Sequence, residues 1–231
     1  MSAELTLIGN EGFHLRTASA DIFIDAFHRA VPETAWQEQL KAGGNRQALI
    51  LVTHCHWDHF DTRQVAQAAA RLGARIIGPR SVTGQLEKHV APGALIELEP
   101  PLARKSGMAE SQSAQEGPVH VSAYRTFHSR DHNSYLVEAP GFRFFHDGDN
   151  EDTRRIEAAG LGRLDALLIG PWQGSGWAEF IEKLAPTRYF LMHLTEEELS
   201  EHEAGAFLPG ICERVPDGLV VLWPGEAFVF P

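Results

Sequence analysis

Three histidines and one aspartate lie within six residues of one another: His54, His56, Asp58 and His59. A neutral imidazole nitrogen and a carboxylate oxygen are both donors that Zn²⁺ binds, at about 2.0–2.2 Å. Histidine accounts for 12 of the 231 residues and acidic residues for 31, so chance would place this pattern about 0.004 times in such a chain. The cluster therefore predicts a metal site. The alternative is a histidine-rich surface loop.

The apolar run at residues 48–52 comes directly before the cluster and is typical of a buried strand. The histidines would then lie in the loop that leaves the carboxyl end of that strand, where ligand sites gather in sheets covered by helices. Three later apolar runs are followed in the same way, by His128, by Asp149 and by His193. We expect these side chains to meet the first cluster at one edge of a sheet.

The remaining pattern alternates short strands and helices within one domain that spans residues 1–231. Strands are predicted at residues 5–8, 14–17, 22–24, 48–52, 75–77, 119–127, 134–138, 142–145, 166–169, 189–192, 219–222 and 227–230. Helices are predicted at residues 33–41, 62–72, 82–89, 152–159, 177–184 and 196–203. Residues 99–118 hold three prolines, two glycines and three serines and predict a flexible loop, either a solvated linker or a lid over the site.

The composition narrows the class of protein. The formal net charge is −11, and an acidic surface disfavours binding to nucleic acid, which relies on Lys and Arg. No apolar run approaches the length of a membrane span. The first residues carry no secretory pattern, and the two cysteines, Cys55 and Cys212, form no CxxC motif, so we expect a cytoplasmic protein that does not bind membranes.

Taken together, the motifs resemble those of the metallo-β-lactamase-fold hydrolase superfamily. Residues 53–59 match its Thr-His-x-His-x-Asp-His signature, and His128, Gly148-Asp149 and His193 follow in the order of its later motifs. Residues 22–25 match an early strand that closes in an aspartate. The opening residues 7–13 resemble lactonase-like branches of the superfamily, which often carry histidine where Asn10 stands. The resemblance implies an α/β fold, a four-layer αββα sandwich of two mixed β-sheets flanked by helices.

The resemblance also implies a dinuclear metal site. One metal would be held by His54, His56 and His128, the second by Asp58, His59 and His193, and Asp149 would bridge the two. Seven ligands for two ions leave open coordination positions, as in catalytic sites. Nitrogen and oxygen donors without thiolate favour Zn²⁺ and also suit Mn²⁺ or Fe.

Such a site would generate a metal-bridging hydroxide near neutral pH. The hydroxide would attack a small ester, lactone or thioester, while Asp58 orients the nucleophile and passes a proton to the leaving group. Two other functions are open: a phosphodiesterase that acts on nucleotides, and a metal-binding domain without catalytic activity.

Several residues near these motifs have two interpretations each. Asp25 would accept a hydrogen bond from a ligand imidazole or cap its strand. Trp57, His132 and Trp172 are candidates for contact with a small-molecule substrate. Alternatively, His132 is only a surface residue, and Trp172 is a packed residue in a connection between a strand and a helix. The aromatic segment 223–230 would pair across a homodimer or close a sheet. His146 precedes the Gly-Asp motif, but its side chain should alternate away from the ligands.

Overall fold

The strands of the protein form two sheets of seven strands each in the computed structural model, which describes residues 3–40, 46–103, 107–129 and 131–231. The strands are β1 (Glu4–Gly9), β2 (Gly12–Arg16), β3 (Ala20–Ile24), β4 (Gln47–Leu51), β5 (Arg75–Gly78), β6 (Leu95–Glu97), β7 (Ser111–Glu116), β8 (Val119–Arg125), β9 (Asn133–Ala139), β10 (Phe142–His146), β11 (Ala166–Ile169), β12 (Arg188–Leu191), β13 (Leu219–Val220) and β14 (Ala227–Val229). The helices are α1 (Glu33–Leu40), α2 (Thr62–Leu72), α3 (Arg80–Leu86), α4 (Ala158–Leu161), α5 (Trp177–Leu184), α6 (Glu196–Glu203) and α7 (Phe207–Ile211).

Both sheets are mixed. The first has the order β14-β1-β2-β3-β4-β5-β6 and is antiparallel up to β3 and parallel from β3 to β6. The second has the order β13-β12-β11-β10-β9-β8-β7 and is parallel from β13 to β10 and antiparallel from β10 to β7. The antiparallel hairpins make β8, β10 and β12 run in the same direction, so their carboxyl ends share one edge.

Three apolar clusters define four layers. Side chains from the facing surfaces of the two sheets form the central cluster, which includes Leu51, Tyr135 and Phe144. A second cluster packs the outer face of the first sheet against α1, α2 and α3, and a third packs the outer face of the second sheet against α4, α5 and α7. Successive strand residues point to opposite faces, so an apolar strand that is buried on both faces contributes side chains to two clusters. The predicted αββα sandwich is confirmed.

Local sequence signals explain the helix that follows the histidine cluster. The side chain of Asp61 accepts hydrogen bonds from the backbone N–H groups of Arg63 and Gln64 and caps α2. The helix ends at Gly73, whose φ of 61° is the left-handed conformation that favours glycine. The bounds of α2 agree with the prediction.

The aromatic C-terminal segment closes the first sheet, which is one of the two interpretations of its sequence. Strand β14 pairs with β1, and Phe230 is buried against Phe142 and Phe190 in the central cluster. The homodimer stays a prediction.

The prediction of a loop at residues 99–118 is wrong for residues 111–116. These residues form β7, which pairs along its whole length with β8. An edge strand is largely solvated, so β7 can be polar and lacks the apolar alternation by which strands are recognised. The idea that this segment is a lid stays a prediction.

The helix predicted at residues 152–159 is also wrong in part. A 3-10 turn at Thr153–Arg155 is followed by extended backbone at Ile156 and then by α4. The Arg155 carbonyl accepts a hydrogen bond from the backbone N–H of Ala109 at 2.7 Å. This bond and the burial of the Ile156 side chain stabilise extended backbone here in place of a continuous helix. The predicted end of the first helix, at residue 41, lies outside the described residues. Among the described residues, no helix has the length and apolar character needed to span a membrane.

Candidate metal centre

The predicted ligand segments meet at one edge of the sandwich. His54, His56, Asp58 and His59 follow the carboxyl end of β4 in the first sheet. His128, Asp149 and His193 follow β8, β10 and β12 in the second sheet. Residues from both sheets come together at this edge, so the site is built from both halves of the sandwich.

Hydrogen bonds between the sheets hold the histidine loop in place. The Tyr135 hydroxyl in β9 donates to the Val52 carbonyl at 2.7 Å, and the backbone N–H of Asn133 donates to the Thr53 carbonyl at 3.0 Å. Both acceptors lie just before the first ligand. The loop that carries four ligands is therefore tied to the opposite sheet at its start.

The first group of donors consists of His54, His56, His128 and Asp149, whose potential ligand atoms all lie within 4.8 Å of one another. The Nε2 atom of His128 is 3.3 Å from His56 Nδ1 and 3.3 Å from Asp149 Oδ2. His54 Nε2 is 3.8 Å from the same carboxylate oxygen. Three imidazoles and one carboxylate thus converge on a single point.

The second group consists of Asp58, His59 and His193, and its ligand atoms also lie within 4.8 Å of one another. Asp149 faces this group as well. Its Oδ2 atom is 3.3 Å from His59 Nε2, and its Oδ1 atom is 3.7 Å from His193 Nε2. The structure therefore brings all seven predicted residues together and places Asp149 between the two groups.

Buried polar atoms without partners provide a test of whether metal ions fit here. His54 Nε2, His59 Nε2 and Asp149 Oδ1 are buried and make no hydrogen bond with any described residue. Leaving one such atom unsatisfied costs about 1–3 kcal/mol. All three face the two groups of donors, and a cation would satisfy them together. The residues fit divalent metal ions.

The hydrogen bonds behind His54 select its tautomer. The Thr53 hydroxyl donates to Asp25 Oδ2 at 2.5 Å. It is therefore free to accept the Nδ1–H of His54, 3.0 Å away. This arrangement leaves the Nε2 lone pair of His54 directed at the first group of donors.

Asp25 also lies behind His59, with its Oδ2 atom 3.1 Å from His59 Nδ1. The backbone N–H of Thr53 donates to its other oxygen at 2.8 Å. Of the two roles considered for Asp25, the structure shows the hydrogen-bond acceptor for an imidazole of the site. The conformation of this residue is left-handed, with a φ of 46°.

His128 and His193 are held in different ways. The Nδ1–H of His128 donates to Glu151 Oε1 at 2.9 Å, which leaves Nε2 for the site. His193 adopts a left-handed φ of 59°, and its backbone N–H donates to the Asn10 carbonyl at 3.2 Å. The ring of Trp172 packs edge-on against the His193 ring at a centroid distance of 4.9 Å.

Burial sets the protonation states of the site in the metal-free protein. It lowers the pKa of His54 to about 3 and also lowers the pKa of His59, so both imidazoles are neutral and keep a free lone pair at pH 7. Burial alone would raise the pKa of Asp149, but the neighbouring imidazoles of His59, His193 and His54 lower it overall. Asp149 is therefore ionised. Neutral imidazoles and an ionised carboxylate are the forms that bind cations.

His132 is not a surface residue, and among the described residues it makes no contact that would put it on the substrate side. It is fully buried, and its Nε2 atom accepts the backbone N–H of Asp149 at 2.9 Å. Its Nδ1–H therefore faces the Thr126 hydroxyl, 2.8 Å away. His132 holds the backbone of Asp149 from behind. The expectation for His146 agrees with the structure: its Nδ1 accepts the Gly148 N–H, and its Nε2–H donates to the Glu11 carbonyl.

Two acidic residues at the site are missing from the predictions. Glu151 contacts His128, and Glu11 contacts Nδ1 of His59. Glu151 lies two residues after Asp149, which is a signal that sequence reasoning could have used. Glu11 had no such signal, because only the position of the β1–β2 turn brings it to His59.

A cavity of about 670 Å³ opens onto both groups of donors. Trp57 and Trp172 form apolar walls, with Trp57 65% exposed. Glu151 and Gln173 also line the cavity. Of the described residues that line it, none is Lys or Arg. The cavity is large enough for a small organic molecule.

Comparisons with known proteins agree with this architecture. Residues 21–194 match the family model described as the beta-lactamase superfamily domain. A UPF0173 metal-dependent hydrolase of Rubrobacter xylanophilus is 26% identical over 227 residues, which cover 86% of this chain and 87% of that protein. The metallo hydrolase Igni18 of Ignicoccus hospitalis superposes with a TM-score of 0.69 at 17% identity, covering 100% and 99% of the two chains. A diphosphatase of the PhnP family superposes with a TM-score of 0.64 at 14% identity, covering 100% and 98%.

The family model covers most of the chain, and the protein belongs to the beta-lactamase superfamily. It is a metal-dependent hydrolase of that superfamily, with histidine and aspartate clusters able to bind metal.

Proposed function

We propose that the seven clustered residues hold two divalent metal ions and that the protein hydrolyses a small ester, lactone or thioester. The observation that carries the proposal is the position of Asp149, whose Oδ2 atom is 3.3 Å from His128 Nε2 in the first group of donors and 3.3 Å from His59 Nε2 in the second. One carboxylate between two such groups is suited to a bridging ligand. His54, His56 and His128 would complete the first position, and Asp58, His59 and His193 the second.

Donor chemistry supports Zn²⁺ as the resident ion, with Mn²⁺ and Fe as the alternatives. Each group supplies imidazole nitrogen and carboxylate oxygen without thiolate. Divalent ions held there would supply an activated water and polarise the bond to be cleaved. Seven protein ligands shared by two ions are fewer than the four separate ligands per ion of closed structural sites, so room is left for water and substrate.

Asp58 is the residue that we assign to proton transfer. Its Oδ2 atom is 3.7 Å from His193 Nε2, and its side chain lines the open cavity with an exposed fraction of 24%. A carboxylate in this position can orient a water molecule by accepting one of its protons. It can then donate that proton to the oxygen or sulfur atom of the leaving group.

The cavity walls support a neutral, partly apolar substrate. The indole rings of Trp57 and Trp172 offer apolar surface beside the donors. Glu151 adds negative charge at the rim. An anionic phosphodiester would gain no Lys or Arg contact from the described lining residues, whereas a carboxylic ester, lactone or thioester needs none. This favours an acyl substrate over the phosphoryl substrate that the diphosphatase relative suggests.

A panel of substrates tests this assignment. The purified protein would be reconstituted with Zn²⁺ or Mn²⁺ and assayed against lactones, p-nitrophenyl esters, thioesters and bis-p-nitrophenyl phosphate, with and without chelator. Chelator-sensitive turnover of the acyl substrates, with kcat/KM at least tenfold above that for the phosphodiester, is the expected result. A preference for the phosphodiester would overturn the substrate class. No turnover of any member would favour a non-catalytic domain.

A further inference from the structure

Glu11 lies in the turn between β1 and β2, yet its side chain has no exposed surface. Its carboxylate oxygen Oε1 contacts Nδ1 of His59. Among the described residues, neither carboxylate oxygen has another hydrogen-bond donor. Potential ligand atoms of Glu11, His59 and Asp149, one from each residue, also lie within 4.8 Å of one another. A fully buried glutamate with no further hydrogen-bond donor is rare, because removing a charge from water costs several kcal/mol.

The backbone around Glu11 is fixed against the site. Its carbonyl accepts the Nε2–H of His146 at 3.0 Å, and the carbonyl of Asn10 accepts the backbone N–H of His193 at 3.2 Å. A Cβ atom at Gly12 would lie 2.6 Å from the Asp25 carbonyl, so this position must be glycine for the turn to approach so closely. The fold therefore holds the Glu11 side chain next to Nδ1 of His59.

The carboxylates of Asp25 and Glu11 both lie beside Nδ1 of His59. Asp25 also accepts the backbone N–H and the hydroxyl of Thr53, and through that hydroxyl it fixes His54. Among the described residues, no further hydrogen-bond donor reaches the Glu11 carboxylate, so its side chain acts on His59.

We infer that Glu11 is a positioning residue that accepts the Nδ1–H of His59 and so directs Nε2 of that ring to the second metal position. The inference rests on the proposed dinuclear site, because only a filled second position gives the orientation of His59 a function. An acceptor of this kind fixes the tautomer of a metal-binding imidazole and raises its basicity.

Three variants test the inference, and all measurements are made without substrate. Glu11→Ala removes the acceptor, and Glu11→Gln keeps an acceptor oxygen without the charge. Asp21→Asn is the matched control, since Asp21 is a buried carboxylate of the same sheet that contacts a histidine, His14, at 2.9 Å and touches no proposed ligand. Zinc affinity is measured by competition with a chromophoric chelator. The tautomer of His59 is read from ¹⁵N-histidine NMR of the metal-free protein.

For Glu11→Ala, one of the two zinc affinities should fall by about 10–100-fold, and His59 should lose part of its Nδ1–H population. Glu11→Gln should recover part of both and raise the melting temperature of the metal-free protein by about 2–4 °C. Asp21→Asn should lower the melting temperature and leave both zinc affinities unchanged. Unchanged zinc affinities and an unchanged His59 tautomer in Glu11→Ala would overturn the inference.

These readouts separate the inference from the proposed function. If the protein binds two zinc ions with affinities that depend on Glu11 but hydrolyses no acyl substrate, the positioning role is supported and the assignment of an acyl substrate is refuted. A wild-type protein that binds only one zinc ion would refute both the dinuclear site and the role of Glu11 in it.

Discussion

The imidazole of His132 accepts a hydrogen bond from the backbone N–H of Asp149, with 2.9 Å between the two nitrogen atoms. Asp149 is the residue whose carboxylate faces both groups of donors. Its position thus depends on a buried side chain that is not itself a proposed ligand. The bond also explains why glycine precedes the aspartate, because the ring of His132 occupies the space where a side chain at residue 148 would lie.

Replacing Gly148 with alanine should lower the free energy of unfolding by more than the strain of a left-handed alanine alone. Gly148 has a φ of 60°, and an added Cβ would lie 2.4 Å from Nε2 of His132. Gly73 is the matched control, with a φ of 61° and nothing within 4 Å of the added atom. We expect Gly73→Ala to cost about 1–2 kcal/mol of unfolding free energy and Gly148→Ala distinctly more. Urea denaturation measures both, and equal costs would refute the steric argument.

Truncation of His132 to alanine should loosen Asp149. The variant removes a fully buried ring and leaves the Asp149 N–H without its acceptor, which costs about 1–3 kcal/mol for the hydrogen bond alone. Metal affinity should fall together with stability, because the misplaced carboxylate serves both groups of donors. Calorimetric titration with Zn²⁺ measures the affinity. Wild-type affinity in a destabilised His132→Ala protein would show that Asp149 is positioned without the imidazole.

Asp58→Asn tests the assignment of proton transfer. The amide keeps the shape of the side chain and one oxygen donor, so most of the bound metal should remain, while the loss of general acid–base catalysis should lower kcat by about 10²–10⁴-fold. Elemental analysis and steady-state kinetics on the same sample check the two halves of this prediction. Unchanged kcat would remove the proton-transfer role from Asp58.

The metal-free protein should lose stability in mild acid. Burial lowers the pKa of His146 to about 3 and of His28 to about 4, from 6.5. The unfolded chain therefore binds protons below pH 6.5 that the folded chain refuses. The stability is present above pH 6.5 and is lost as the pH falls toward 4, by at most about 1.4 kcal/mol per pH unit for each such histidine.

Two carboxyl groups work in the opposite direction, because burial raises the pKa of Asp25 well above its ordinary value and the pKa of Asp147 to about 7. The contribution of Asp147 is present below about pH 4 and is lost as the pH rises through 7. The buried histidines outnumber these two groups, since burial also lowers the pKa values of His54 and His132. Urea denaturation with chelator at pH 7, 6 and 5 should show falling stability, and a constant or rising value would contradict these pKa shifts.

The sequence predicts the strand ends that carry the ligands because apolar runs and the polar residues that follow them are local features. Strands β4, β10 and β12 are visible as buried runs, and the residues that follow them include the donors. Strand β7 could not be found in this way. It is a polar edge strand, and its pairing with β8 is visible only in three dimensions.

The residues behind the ligands were harder to predict for the same reason. Glu11 is 48 residues from His59 in the chain, and the two meet only because the β1–β2 turn packs on Asp25. The sequence gives no sign that His132 is buried. Its role depends on the backbone N–H of Asp149, which lies 17 residues away in the chain. The metal ligands can be recognised from local sequence motifs, whereas the residues that hold the ligands in place are visible only in the tertiary structure.

The central claim is that two metal ions occupy the two groups of donors, and metal content measures it most directly. Elemental analysis after reconstitution with Zn²⁺ and removal of excess metal should give close to two ions per wild-type chain. The variants His54→Ala and His193→Ala should each give close to one, since each alters a different group. A wild-type protein that retains no metal, or variants that both retain two ions, would contradict the account.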